Sequence, residues 1–352
     1  MSTLLSLPVM SMDEAIVATA AAAEEYSAGP LIDGCGRVID HLRLSVTSAC
    51  DLRCAYCRPK GEVGIAPTGR VLCDRQRLDL LRFLYEVHGL RQLRITGGEP
   101  LLHRTLLTLL EAVRESAPDL GLAMTTNGQR LAGLATNLRG VGLERLNISL
   151  DTLDPDRYRR LTGGELRPVL AGLDAAVAAG FSTVKINAVV LRGINDGQLA
   201  DLARWAIDGG FEIRFLEAMP IGPASAFNRE HFVPVSQIRR RLEEAFRLTP
   251  LPRRRGETAV RYEASDGERL GVVGIIAPLS ESFCGQCRRI RVTADGMLYP
   301  CLLDSRKVDL RRAWRGGELS PHHAGILIRR AIEGKQPGGR LRQPTAMITL
   351  GG

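Results

Sequence analysis

Two tight groups of cysteine constrain this chain more than anything else in it. Cys50, Cys54 and Cys57 form a Cys-x3-Cys-x2-Cys run, and Cys284, Cys287 and Cys301 form a second trio, while Cys35 and Cys73 stand apart. A chain of 352 residues with eight cysteines is not a short disulfide scaffold, and clustered thiols in a chain this long point to metal or redox chemistry. Both trios are therefore read as ligand sets.

The surrounding sequence reads as α/β. From about Leu42 to Met219, short β-branched runs that end in small or polar residues alternate with helical stretches of three-to-four apolar spacing. The predicted strands are Arg43–Thr47, Leu93–Thr96, Leu122–Thr126, Leu146–Leu150, Val184–Leu191 and Ile213–Met219. Amphipathic segments between them include Asp74–Val87, Leu106–Glu115, Pro168–Ala179 and Gly197–Ile207. Strand, helix, strand implies parallel pairing. Six such units predict a partial (β/α)6 TIM-like barrel rather than a complete eightfold one. Past Pro220 a helix around Val235–Phe246, a basic loop and alternating runs near Ala259–Glu263 and Leu270–Ile276 suggest antiparallel strands of a smaller module. The expected organisation is an extension at 1–29, a barrel at 30–220 and a C-terminal module at 221–352.

Composition adds limits. An apolar share of 45%, a charged share of 24% and no long apolar run predict a soluble, cytoplasmic protein with no membrane span. The first stretch carries Asp13, Glu14, Glu24 and Glu25 and no Lys or Arg before Arg37, which suits neither a secretory signal nor a transit segment. A net charge of +8 fits an anionic partner, whether nucleic acid, a membrane surface or a polyphosphate. Arg253, Arg254 and Arg255, between Pro252 and Gly256, read as a solvated loop rather than a nucleic-acid patch.

Parallel sheets bind ligands beyond the carboxyl ends of their strands. Thr47, Thr96 to Pro100, Thr125 to Gly128, Ser149 to Asp151 and Glu217 to Met219 all fall at such ends and should share one face. The first cysteine trio follows directly on a strand, so one loop can present three thiolates there. Three cysteines on a four-iron cubane leave one iron free for an external ligand. A structural zinc site normally closes with four ligands, and the nearest histidine, His41, precedes the strand. For the second trio, a hairpin at Asp295-Gly296 would carry Cys301 back to Cys284 and Cys287, as a cluster or as a three-thiolate zinc site.

The first trio, with Tyr56 before its last cysteine and Gly97-Gly98-Glu99-Pro100 downstream, resembles the signature of the radical S-adenosylmethionine superfamily. Phe283-Cys284-Gly285-Gln286-Cys287-Arg288-Arg289-Ile290-Arg291, then Ala294-Asp295-Gly296 and Cys301, is similar to one family within it: the GTP 3′,8-cyclases of molybdenum-cofactor biosynthesis. The likeness runs from about residue 30 to the final Gly351-Gly352, a tail that in the family reaches the active site. It implies a radical-SAM-type barrel with a C-terminal iron–sulfur module, two [4Fe–4S] clusters and S-adenosylmethionine.

Carried over residue by residue, the resemblance assigns Cys50, Cys54 and Cys57 to the catalytic cluster and Cys284, Cys287 and Cys301 to the auxiliary one. Tyr56, Gly97, Gly98, Glu99, Ser149 and Met219 would contact S-adenosylmethionine. Arg43, Arg94, Thr125, Lys185, Arg214, Arg289 and Arg291 would hold GTP. The implied partners are an electron donor and a downstream pterin synthase, with a homodimer as the candidate assembly and neither nucleic acid nor membrane. The chain departs from the pattern at Gln92, where a Lys is usual, at Cys35, where an aromatic is common, and in the residues before the terminal glycines. Rival readings are a radical enzyme acting on a peptide or tetrapyrrole, and a zinc-stabilised nucleic-acid-binding protein.

Overall fold

The computed structural model describes residues 28–58, 71–254, 256–336 and 338. Most of the predicted N-terminal extension, and the Gly351-Gly352 tail, lie outside the described residues.

Six strands run in order through the first part of the chain: β1 (His41–Ser45), β2 (Gln92–Thr96), β3 (Gly121–Thr126), β4 (Arg145–Ser149), β5 (Thr183–Val190) and β6 (Glu212–Glu217). Between them lie helices α1 (Asp74–His88), α2 (Leu106–Ser116), α3 (Ala135–Gly140), α4 (Pro155–Thr162), α5 (Leu166–Ala178) and α6 (Leu199–Asp208). All six expected strands are present within two residues of the predicted ends. Helices α3 and α4 were not foreseen, because each is short; α4 shows only Tyr158 and Leu161 among charged neighbours. Its ends are chemically marked: the Asp154 carboxylate accepts from Arg157 N, and Gly163 adopts φ 74° to stop the turn.

The C-terminal part contributes α7 (Ser225–Glu230), α8 (Val235–Glu243), β7 (Arg247–Pro250), β8 (Val260–Ser265), β9 (Leu270–Ile276), β10 (Arg289–Val292), β11 (Met297–Tyr299), β12 (Val308–Asp309) and α9 (Pro321–Glu333). These strands join the same sheet, whose order is β12-β11-β10-β1-β2-β3-β4-β5-β6-β9-β8-β7. β8 and β9 pair antiparallel as expected, with β7, which was not predicted, antiparallel to β8; but β9 also runs parallel to β6, and β10 runs parallel to β1. The C-terminal part thus covers both open edges of the six-stranded sheet, where unmatched N–H and C=O groups would otherwise face outward.

Side-chain alternation then decides what faces where. Leu42, Leu44, Leu93, Ile95, Leu122, Met124, Leu146, Ile148, Ile186, Ile213 and Phe215 fall in one strand phase and pack with helical Leu80, Leu84 and Leu110 in a single core. The opposite phase carries Arg43, Arg94, Ala123, Thr125, Asn147, Ser149, Lys185, Asn187 and Arg214. Ordinary eightfold barrels fill their interior with branched apolar side chains. Here the inner wall is polar and cationic.

Glu217, at the end of β6, fixes the C-terminal loops to this wall. Its carboxylate, 2% exposed, accepts from Val235 N at 2.9 Å and from Leu279 N and Ser280 N at 3.1 Å each. Glu217→Ala strands these donors and is expected to lower the unfolding free energy in urea by roughly 2–4 kcal/mol, with a smaller loss in Glu217→Gln.

Candidate active site

The site begins where β1 and β2 end. Gly98 N donates to the Thr47 carbonyl and Glu99 N to the Ala49 carbonyl, each at 2.8 Å, so the two loops lie backbone to backbone. Only glycine permits this. A Cβ on Gly97 would stand 2.4 Å from Thr47 O, and one on Gly98 2.2 Å from Ala49 O. The cysteine loop is pinned on its other side by α4, with Arg53 N donating to Thr162 O and Ala55 N to Leu161 O.

Cys50, Cys54 and Cys57 line one cavity together with Tyr56, Gly97, Gly98, Thr125, Ser149 and Met219. Its empty volume, open mouth included, is about 1090 Å³. Burial, with Asp151, Cys57 and Cys50 as negative neighbours, pushes the Cys54 thiol well above its usual range, which places the three thiols in one electrostatic neighbourhood. Among the described residues, no group of three or more His, Cys, Asp or Glu converges closely enough to hold a single metal ion. Three thiols lining one cavity fit a cubane bound by three cysteines, a body several ångströms across.

Glu99 sits just behind the wall, 1% exposed. Its carboxylate accepts from Leu101 N at 3.0 Å, Thr126 Oγ1 at 2.7 Å and Asn127 N at 2.7 Å. Burial still raises its pKa to about 7. Tyr56 donates its hydroxyl to Asp151 Oδ2 at 2.8 Å, and burial raises Asp151 to about 6. Asn228 ties the site together: its Nδ2 donates to the Tyr56 carbonyl at 2.9 Å and to the Met219 carbonyl at 2.7 Å, while its buried Oδ1 has no partner among the described residues. Sequence reasoning singled out neither Asp151 nor Asn228. Asp151 stood at a recognised strand end, whereas Asn228, on a six-residue helix, carried no signal.

The predicted cationic residues divide into two sets. Arg43 is the lateral neighbour of Arg94 on β2 and of Arg291 on β10. Burial and the charges of Arg291, Arg289 and Arg94 all act against the Arg43 guanidinium. Burial likewise lowers Arg94 to about 9, helped by Arg145, Arg214, Arg289 and Arg291. Lys185 and Arg214, in contrast, are already ion-paired: Lys185 Nζ lies 2.9 Å and Arg214 Nε 2.6 Å from the two oxygens of Glu212, and Glu257, which also pairs with Arg261 at 2.9 Å, lies 3.4 Å from Arg214. Arg94 Nη1 reaches Thr125 Oγ1 at 3.4 Å, linking the cation row to the first cavity.

At its other end the row meets the second trio. Cys284 opens a 3-10 turn, and Cys287 N donates to its carbonyl at 3.1 Å. Against burial, which would raise it, Arg289 and Lys335 draw the Cys287 thiol down to about 6. Cys301 follows the β10–β11 hairpin and feels Cys287 and Cys284 as charged neighbours. Lys335 and Arg37 are further residues the sequence did not flag. Lys335 is 3% exposed beside the trio, and Arg37 Nη1 donates to the Cys284 carbonyl at 2.6 Å.

A barrel edge with three cysteines on one loop and Gly-Gly-Glu-Pro zipped against it defines a radical S-adenosylmethionine enzyme, and residues 44–206 match the model of the Radical SAM superfamily. Residues 211–341 match Molybdenum Cofactor Synthesis C. The GTP 3′,8-cyclase of Rhizobium meliloti is 40% identical over 322 residues, covering 90% of this chain and 89% of that one. That of Corynebacterium glutamicum is 40% identical over 337 residues, covering 92% and 89%. The chain belongs to the GTP 3′,8-cyclase family. Streptococcus suis SuiB bound to S-adenosylmethionine shares the fold at TM-score 0.60 and 16% identity, over 82% of this chain and 68% of that one. Membership of the Radical SAM superfamily brings S-adenosylmethionine and a [4Fe–4S] cluster into its chemistry.

Two outcomes follow from this geometry. Gly98→Ala forces the cysteine loop from its neighbour, costing roughly 1–3 kcal/mol of stability and abolishing S-adenosylmethionine binding in equilibrium dialysis. Glu99 titrates higher folded than its ordinary 4.5, so its stabilising contribution is complete below pH 4.5 and is lost as pH rises through about 7. Denaturation of wild type and Glu99→Gln across this range should show the wild type losing roughly 3 kcal/mol more than the variant, the slope due to Asp151 being common to both.

Proposed function

We propose that this chain is a GTP 3′,8-cyclase of molybdenum-cofactor biosynthesis, converting GTP into 3′,8-cyclo-7,8-dihydro-GTP. The observation that carries the reading is the row Arg291, Arg43 and Arg94 lying between two cysteine trios. A triphosphate brings about four negative charges, and guanidinium forks match phosphate oxygens in pairs.

Cys50, Cys54 and Cys57 would hold the catalytic [4Fe–4S] cluster, which when bound supplies the electron that splits S-adenosylmethionine. Gly97 and Gly98 leave room for the methionine end, while Tyr56, Ser149 and Met219 border the same cavity. Arg43, Arg94, Arg289 and Arg291 grip the triphosphate, with Thr125 beside them. Lys185 and Arg214 contribute once their partner Glu212 is outcompeted. Cys284, Cys287 and Cys301 would hold an auxiliary [4Fe–4S] cluster, which with three protein ligands could offer a coordination site to the base. The residues' task is placement: C3′ of the ribose must lie in reach of hydrogen removal, and C8 of guanine in reach of C3′. The low-potential electron donor is a separate partner, and a pterin synthase consumes the product.

Anaerobic incubation with GTP, S-adenosylmethionine and a one-electron reductant should yield 5′-deoxyadenosine and an oxidisable pterin precursor. Cys54→Ala should yield neither. 5′-Deoxyadenosine formed only with another substrate would overturn the GTP assignment. Reconstituted protein should carry about eight irons, falling to about four in Cys284→Ala; zinc in that trio would refute the auxiliary cluster.

A further inference from the structure

We propose that Arg145 is an additional binding residue for the anionic tail of the substrate, held in place by Gln92. The inference rests on the GTP reading above and extends it to a residue outside the resemblance.

Lateral register places Arg145 in the guanidinium row. Arg291 on β10 stands beside Arg43 on β1, Arg43 beside Arg94 on β2, Arg94 beside Ala123 on β3, and Ala123 beside Arg145 on β4. Arg145 shares its strand phase with Asn147 and Ser149, and Ser149 lines the cavity. β3 presents Gly121 and Ala123 in this phase, so two long cationic side chains can meet across it. Among neighbouring charges, that of Arg145 acts most strongly on the Arg94 guanidinium.

Gln92 sets the direction of Arg145. It is the lateral neighbour of Gly121, whose missing side chain matters: a Cβ there would lie 2.6 Å from Gln92 Nε2. The Gln92 amide therefore crosses over β3, and its Oε1 accepts from Arg145 Nη2. A neutral acceptor orients the guanidinium without cancelling its charge. Among the described residues Arg145 Nε is buried without a hydrogen-bond partner, and Arg145 forms no ion pair. A buried donor, a positive charge lacking a carboxylate and a second guanidinium across a gap lined by small residues together fit one ligand, a phosphate oxygen bridging Arg94 and Arg145.

The test measures dissociation constants of GTP, guanosine and S-adenosylmethionine on the anaerobically reconstituted enzyme. Arg145→Gln should weaken GTP by roughly 10- to 100-fold and leave guanosine and S-adenosylmethionine unchanged. Arg145→Lys should recover most of the loss, and Gln92→Ala should weaken GTP by only a few-fold. GTP and guanosine weakened equally would overturn the assignment, since a packing role predicts that. Wild-type GTP affinity in Arg145→Gln, with loss in Arg94→Gln, would also overturn it and leave the GTP reading standing. A wild type that does not prefer GTP to guanosine would defeat both.

Discussion

Like charges held side by side by a backbone ladder are the constraint on which this molecule turns. The parallel register fixes Arg291, Arg43 and Arg94 as lateral neighbours before any side chain makes a choice. Their repulsion would be costly in a sealed interior, and the chain tolerates it because the opposite strand phase buries a continuous apolar face against the helices. Stability thus comes from the outside of the barrel. The inside is left free to be matched by an anion, and the electrostatic cost of the free state becomes binding energy when one enters.

The C-terminal part is placed where this arrangement needs it. By adding β10 to the edge of β1 and β9 to the edge of β6, it extends the run of parallel strands to eight, β10-β1-β2-β3-β4-β5-β6-β9. A module merely appended to the barrel would leave its cysteines at an arbitrary distance. Pairing β10 with β1 instead puts Arg291 into the cation row, Arg289 one layer away opposite His41, and Cys287 beside it, Arg289 Nη2 lying 3.7 Å from Cys287 Sγ. Arg37 adds a cross-tie between chain ends, bonding the Cys284 carbonyl and, at 3.0 Å, the Gln336 carbonyl just past α9.

Much of this was legible in the sequence because it is written locally. The cysteine spacings, the Gly-Gly-Glu-Pro turn and the six strand periods each span a few residues, and it was the resemblance these motifs carry that pointed to Arg43, Arg94, Lys185 and Arg214. Information that depends on register between distant strands was not legible. The pairing of β9 with β6, the crossing of Gln92 over Gly121 to Arg145, and the anchoring of two carbonyls by Asn228 need three-dimensional neighbours. Glu212 is an intermediate case: it shares strand phase with Arg214 two residues on, and its pairing with Lys185 follows once β5 and β6 are known to be adjacent.

Glu212 and Glu257 also give the interior a direction. On the β5–β6 side, Lys185, Arg214 and Arg261 share the two carboxylates, so the positive charge of that wall is largely compensated. On the β10–β1–β2 side, Arg43, Arg94 and Arg289 form no ion pair among the described residues. An elongated ligand with all its charge at one end meets a steep potential and has one favourable orientation. Radical chemistry removes whichever hydrogen is within reach, so selectivity must come from where the ligand is held. Mounting the charged groups on paired strands rather than on loops fixes that position through the hydrogen-bond register of the sheet itself.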